Sequence, residues 1–343
     1  MNPYQALPAR AFWRPAVAEP AIEELRDLWV PKFPIGQDDP ILTVGSCFAA
    51  RIGESLIDLG MNFYDAEPAP PGLTREQRRA RHYGEFSFRV GNVYTAAVLK
   101  QWLSWAFEVT TPPDTVWSEN GRFFDPYRPS IDPDGHASAE DMLAAREITF
   151  DGIRRGMAKA RCLVFTLGLT EAWTDTDGTV YPACPGTVRG TFDERRHRFH
   201  NYTFAEVCHH LGDIIELVRT INPDLRFVLT VSPVPLTATA AGQHVLVAST
   251  YSKSLLRAVA GQLAQEHDHV DYFPAYELIT GQPVRSRFYE DSLRSVTPEG
   301  VSFVLKHFMA GLRPTPSPAE PVRRLTEGGD ACDDAVLDYY SPR

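Results

Sequence analysis

Three short runs of unbroken apolar character mark the chain: "ILTVG" at 41–45, "CLVFTLG" at 162–168 and "RFVLTVS" at 226–232. None alternates apolar with polar residues, so each predicts a strand buried on both faces, as in the middle of a parallel sheet. A shorter strand is expected at "VDYFP". Between these runs the spacing turns helical. Phe48, Ile52, Leu56 and Leu59 share one face of "FAARIGESLIDLG", and Gly60 is a natural stop. "VYTAAVLKQWLSWAFE", "AEDMLAAREITFDGIRRGMAKA" (one helix or two) and "YSKSLLRAVAGQLAQEH" continue the series. "TFAEVCHHLGDIIELVRTIN" is amphipathic through Phe204, Val207, Leu211, Ile214, Ile215 and Val218. "TPEGVSFVLKHFMAGL" reads as the last helix, with Thr297 as N-cap and Pro298 at the first helical position. Short apolar strands alternating with longer helices predict an α/β fold whose parallel sheet is covered on both faces.

The intervening segments set the organisation. Residues 1–38, rich in proline and aromatics, are expected to form an extended arm lying on the domain. "AEPAPPGLTREQRRARHYGEFSFRVGN" reads as a long polar loop, and "TDTDGTVYPACPG" as a hairpin around Asp-Gly. Residues 39–312 are expected to be one domain with loop insertions, and 313–343 a flexible tail.

Composition narrows the partners. The 343 residues are 43% hydrophobic and 23% charged, ordinary for a soluble globular chain. A formal net charge of −10 argues against nucleic acid or an anionic membrane as main partner. No apolar run is long enough to span a bilayer, and the first twenty residues lack the apolar core of a signal peptide, so a cytoplasmic location is expected. The oligomeric state is left open. Cys47, Cys162, Cys184, Cys208 and Cys332 are scattered, odd in number and never spaced as CxxC, which suits neither a disulfide framework nor a zinc knuckle. Cys208, His209 and His210 are adjacent on a helix and point to different faces, so no metal and no cofactor is expected.

In a parallel α/β sheet the chemistry gathers at the carboxyl ends of the strands. Gly45-Ser46-Cys47, Gly168-Leu169-Thr170-Glu171 and Ser232-Pro233-Val234 all fall at such ends. A thiol at a helix N-terminus sits at the positive end of the helix dipole, which favours thiolate, and nearby backbone amides can donate to an oxyanion. Gly-Ser-Cys is equally a compact strand-to-helix turn in which the cysteine serves as a small packing residue.

"GSCFA", with "RVGNVYTA", "FTLGLTEAW", "LTVSPVPL" and "YSK", is similar to the GSCFA family, which is placed in the SGNH/GDSL hydrolase superfamily. The likeness runs from about residue 40 to about 310. It implies a flavodoxin-like three-layer α/β/α sandwich with a central parallel sheet, and acyl transfer from or to esters, often on sugars. It puts Cys47 in the nucleophile position and Ser46 where the superfamily carries aspartate. Gly91-Asn92 is the candidate for one oxyanion loop, although an asparagine there also suits a helix cap. Gly168 and Thr170 align with the second loop, with threonine in place of asparagine, and Glu171 follows.

The superfamily closes with Asp-x-x-His before the last helix. Here Asp291 is followed three residues later by Arg294, which stays protonated and cannot act as a base at neutral pH. With Arg285 and Arg287 it is a candidate contact for an anionic substrate group. A base is then sought elsewhere. His244 leaves "RFVLTVS", whose carboxyl end is expected to flank that of "ILTVG", and His82 precedes Gly91-Asn92. The resemblance thus implies an esterase or O-acyltransferase acting through Cys47 on a small-molecule or glycan substrate. The alternatives are a carbohydrate-binding module that has lost the base, and a redox role for Cys47.

Overall fold

A computed structural model describes residues 2–312; the expected flexible tail and Cys332 lie outside the described residues. In chain order the elements are β1 (Ile41–Gly45), α1 (Cys47–Asp58), α2 (Arg75–Ala80), α3 (Ala96–Ala106), β2 (Trp117–Glu119), β3 (Arg122–Phe124), α4 (Ala139–Lys159) and β4 (Cys162–Leu167). Then follow β5 (Glu171–Thr174), β6 (Val180–Tyr181), β7 (Arg198–Asn201), α5 (Phe204–Ile221), β8 (Arg226–Val231), α6 (Val245–Glu266), β9 (Val270–Phe273), α7 (Ala275–Thr280) and α8 (Pro298–Leu312). Among the described residues no helix is long and apolar enough to cross a membrane. Among the described residues two compact units result: Lys32–Ala275, and a second made of residues 2–31 with 276–312.

The larger unit is built on a four-stranded parallel sheet in the order β1-β4-β8-β9. Gly53 of α1 lies against Thr43, whereas Gly156 of α4 lies against Leu42. Consecutive residues of a strand face opposite sides, so α1 and α4 cover opposite faces. The architecture is the expected α/β sheet flanked by helices.

The strand order corrects two expectations. "ILTVG" is an edge strand, not a central one. Its free edge is occupied by loop backbone: Ile41 N–H donates to the Asn62 carbonyl (2.9 Å) and Ser87 N–H to the Thr43 carbonyl (3.1 Å). Thr43 N–H in turn donates to Ser87 Oγ at 2.9 Å. Every residue of β1 is therefore buried, which is why its sequence reads as a central strand. The second correction concerns His244. β4 stands between β1 and β8, so the carboxyl end of "RFVLTVS" does not flank that of "ILTVG".

The segment after α1 is more than a polar loop. It contains α2, and Phe86, Ser87, Phe88, Arg89 and Val90 are all buried. Arg89 is held by Glu67 (3.0 Å) and Asp132 (2.9 Å), while Asp125 receives two hydrogen bonds from Arg146 and one from Arg128. These buried charges come in hydrogen-bonded pairs, the condition under which burial is tolerated.

The Asp-Gly hairpin forms as expected, β5 pairing with β6, and β7 adds a third strand. A second hairpin, β2–β3, turns at Asn120-Gly121, both at positive φ. In the smaller unit, the proline-rich beginning of the chain is a series of single helical turns. Trp29 stacks on Phe308 of α8 at 5.1 Å, and Thr297 Oγ1 accepts from Gly300 N–H at 3.1 Å as the cap of that helix.

Candidate active site

The turn from β1 into α1 requires its glycine. Gly45 has φ +142°, and a Cβ built there would lie 2.4 Å from the Thr166 carbonyl oxygen of β4. The close approach lets Ser46 N–H donate to that same oxygen at 3.2 Å, while Val93 N–H donates to the Gly45 carbonyl at 2.8 Å. Ser46 occupies the N-cap position, but its side chain makes no capping bond; it is turned inward, buried, with its Oγ unpartnered. The first N–H groups of a helix have no intrahelical acceptor, so the start of α1 keeps donors for a ligand. Cys47 is the first residue of α1 and is exposed, whereas Cys162 is buried and Cys184 and Cys208 are half-buried.

At the far end α1 closes as a glycine-terminated motif. Gly60 has φ +70°, with Gly60 N–H donating to Ile57 (3.0 Å) and Met61 N–H to Leu56 (2.9 Å). Between these ends an open cleft of about 1040 Å³ runs along the helix, lined by Cys47, Arg51 and Asp58, by Arg75 of α2, and by Glu85 and Asn92.

Asn92 is not a helix cap. Thr95 caps α3, its hydroxyl accepting from Val98 N–H at 3.3 Å. Gly91 takes φ +74° to bring Asn92 to the cleft wall, where its Oδ1 is buried without a partner. A carboxamide oxygen left buried without a partner is costly for packing alone, and Asn92 lines the same cleft as the exposed thiol.

The GSCFA family matches residues 40–308, more than half of the chain. The chain belongs to the GSCFA family. No curated protein matches it.

The remaining candidates of this GSCFA protein divide into those held beside the cleft and those committed elsewhere. His82 stands beside it. Its backbone is at φ +54°, unusual for a residue other than glycine, and its Nδ1 meets Glu85 Oε2 at 2.5 Å. Glu85 faces the same cleft as Cys47.

Gly168 and Thr170, expected as oxyanion donors, make hydrogen bonds within the scaffold. Gly168 N–H donates to the Tyr94 carbonyl at 3.0 Å. Thr170 is buried; its N–H donates to Ser252 Oγ (3.0 Å) and its hydroxyl to Asn201 Oδ1 (2.7 Å). Glu171 accepts from the Thr239 hydroxyl at 2.6 Å, bracing the loop after β8.

His244 is the N-cap of α6, exposed, its Nδ1 accepting from Leu246 N–H at 3.2 Å. That nitrogen is occupied by the helix, and His244 is absent from the lining of the Cys47 cleft. Asp291 and Arg294 belong to the smaller unit, in a tight turn closed by a Tyr289–Val296 bridge. Asp291 is exposed, and Arg294 Nε is buried without a partner. Arg287 is engaged by Glu23 (2.5 Å) and Glu299 (2.6 Å).

Sequence reasoning missed Glu85, although its spacing from His82 was visible, and it missed the role of Ser252-Lys253. Lys253 is 3% exposed, and its Nζ donates to the Gly168 carbonyl at 2.6 Å. No local pattern signals a lysine buried on an amphipathic helix.

Proposed function

We propose that this GSCFA protein is an acyl-transfer enzyme, an esterase or O-acyltransferase of SGNH type, with Cys47 as nucleophile. The observation that carries the reading is an exposed thiol at the start of α1 that shares one cleft with the Asn92 carboxamide. The Cys47 sulfur attacks the ester carbonyl carbon, and the carbonyl electron pair moves to oxygen. The Asn92 carboxamide N–H and the free N–H groups at the start of α1 stabilise that oxyanion. Collapse expels the alkoxide and leaves a thioester; a water or acceptor hydroxyl then attacks the thioester and returns the sulfur to its starting state.

Attack and departure need a proton carrier. His82 fills that role in this reading, with Glu85 orienting its imidazole as the third member of a triad does. Its left-handed backbone is the kind of strain that gathers at functional sites. The sugar-ester substrate class rests on the family resemblance. A cytoplasmic setting, where thiols stay reduced, suits a free cysteine nucleophile.

A second reading is favoured by one observation: among the described residues no histidine lines the Cys47 cleft itself. On that reading the protein binds a glycan without turning it over. Kinetics on p-nitrophenyl acetate separate the two. Cys47→Ala is expected to abolish turnover, and His82→Gln to lower kcat by about 10²-fold or more. Parent-level turnover by Cys47→Ala sinks Cys47 as the nucleophile, and an inert parent that binds acetylated oligosaccharide establishes the binding module.

A further inference from the structure

We propose that Ser252 and Lys253, neighbours on α6, are positioning residues that hold the Asn92 carboxamide in register with Cys47; the inference rests on the roles given to Cys47 and Asn92 above. Neither residue lines the cleft, and each grips one end of the turn that leaves β4. Lys253 Nζ donates to the Gly168 carbonyl at 2.6 Å, and Ser252 Oγ accepts from Thr170 N–H at 3.0 Å. The middle of the turn faces the other way. Gly168 N–H (3.0 Å) and Leu169 N–H (2.8 Å) both donate to the Tyr94 carbonyl. One residue back, Val93 N–H donates to the Gly45 carbonyl at 2.8 Å, and Asn92 comes immediately before it.

Hydrogen bonds therefore run without a gap from α6 to the segment that presents Asn92, and on to the turn that presents Cys47. The link has a direct electrostatic basis. The Gly168 carbonyl and the Leu169 N–H belong to one peptide group, so an ammonium on the oxygen polarises the N–H and strengthens its bond to Tyr94. Space allows little slack, because a Cβ on Gly168 would sit 3.0 Å from the Tyr94 oxygen and 3.2 Å from Ser46 Cβ. Burying a lysine is expensive, and an apolar residue of similar length would fill the site at lower cost. Such a residue could not make the hydrogen bond to the Gly168 carbonyl.

The test uses the full-length protein, uniformly labelled with 15N. The side-chain amide resonances of Asn92 are identified by their loss in Asn92→Ala. Lys253→Met and Ser252→Ala are each expected to shift or broaden that pair while the side-chain amide of Gln37 stays in place. On p-nitrophenyl acetate, Lys253→Met is expected to lower kcat about tenfold with KM unchanged. In the Asn92→Ala background the same substitution should change kcat by less than about twofold, because coupled residues are not additive. Lys253→Arg, which keeps a cationic donor, should restore part of the loss. If Lys253→Met does not fold, Ser252→Ala gives the same readings.

An Asn92 amide that stays in place in Lys253→Met and Ser252→Ala overturns the proposal, as do fully additive losses of kcat. Turnover that survives Cys47→Ala removes Cys47 as the nucleophile instead, and the amide resonance still decides whether the clamp exists.

Discussion

Gly45→Ala places a methyl group where the first strand crosses closest to the second. The added Cβ would stand 2.4 Å from the Thr166 oxygen, 2.8 Å from its nitrogen and 2.9 Å from its Cβ. Two of these neighbours are backbone atoms, so no rotamer change relieves them, and β1 must move off β4 by about half an ångström at the point where they pair. Overpacking of this kind costs about 1–3 kcal/mol. Holding alanine at φ +142° adds about 1–3 kcal/mol more. A total near 4 kcal/mol corresponds to a fall in Tm of about 8–16 °C for a unit of this size. Scanning calorimetry at pH 7 reads the shift. Gly178→Ala is the internal control: its φ is +86°, yet nothing lies within 4 Å of the new Cβ, so only the backbone cost of about 1 kcal/mol applies. Equal Tm values for the two variants, or a Gly45→Ala loss below about 2 °C, would refute the claim that close approach to Thr166 dictates this glycine.

Exposure separates the cysteines, since Cys47 is open to solvent while burial pushes the thiols of Cys162, Cys184 and Cys208 up. Iodoacetamide followed by peptide mapping should label Cys47 first among these four; labelling of Cys208 ahead of Cys47 contradicts this order. Acid should destabilise the fold in two stages. Burial, with nearby arginine charge, holds the His269 imidazole down at about 4, so its neutral form favours the native state, and that contribution is lost as pH falls from about 6.5 to about 4. Burial opposes ionisation of Asp125, but Arg146 and Arg128 outweigh it and hold the carboxylate below its ordinary range, so its contribution is lost below about pH 4. A Tm at pH 3 equal to that at pH 7 is incompatible with both. Thr166 Oγ1 is buried on β4 with no partner, so Thr166→Val should be neutral or stabilise by up to about 1 kcal/mol in urea unfolding; a loss above about 1 kcal/mol means the hydroxyl is satisfied and the burial argument fails.

The α/β class was legible because apolar runs and helical spacing report burial directly. Thr297 marked a helix start accurately, whereas the Thr203–Glu206 capping box at the start of α5 went unread. Strand order was not legible. Burial of "ILTVG" looks the same whether a strand or a loop such as 62–64 covers its edge. His244 was read as a loop residue because histidine is not a usual N-cap, and α6 begins well before "YSK". The β2–β3 hairpin was missed although Asn120-Gly121 carries the turn chemistry for it. At the site, the exposed cysteine followed from a glycine between strand and helix. The commitments of Gly168 and Thr170 did not, because they depend on Tyr94, Asn201 and Ser252, distant in sequence.

The central claim is that the Cys47 sulfur carries the acyl group. Intact-protein mass spectrometry after rapid acid quench of the protein with p-nitrophenyl acetate tests it directly, with peptide mapping to locate the adduct. The account predicts one acetyl group per chain on Cys47, formed before steady state, absent in Cys47→Ala and accumulating further in His82→Gln if deacylation is slowed more than acylation. Acetyl turnover with no adduct on Cys47, or an adduct on Ser46 that survives Cys47→Ala, would contradict it.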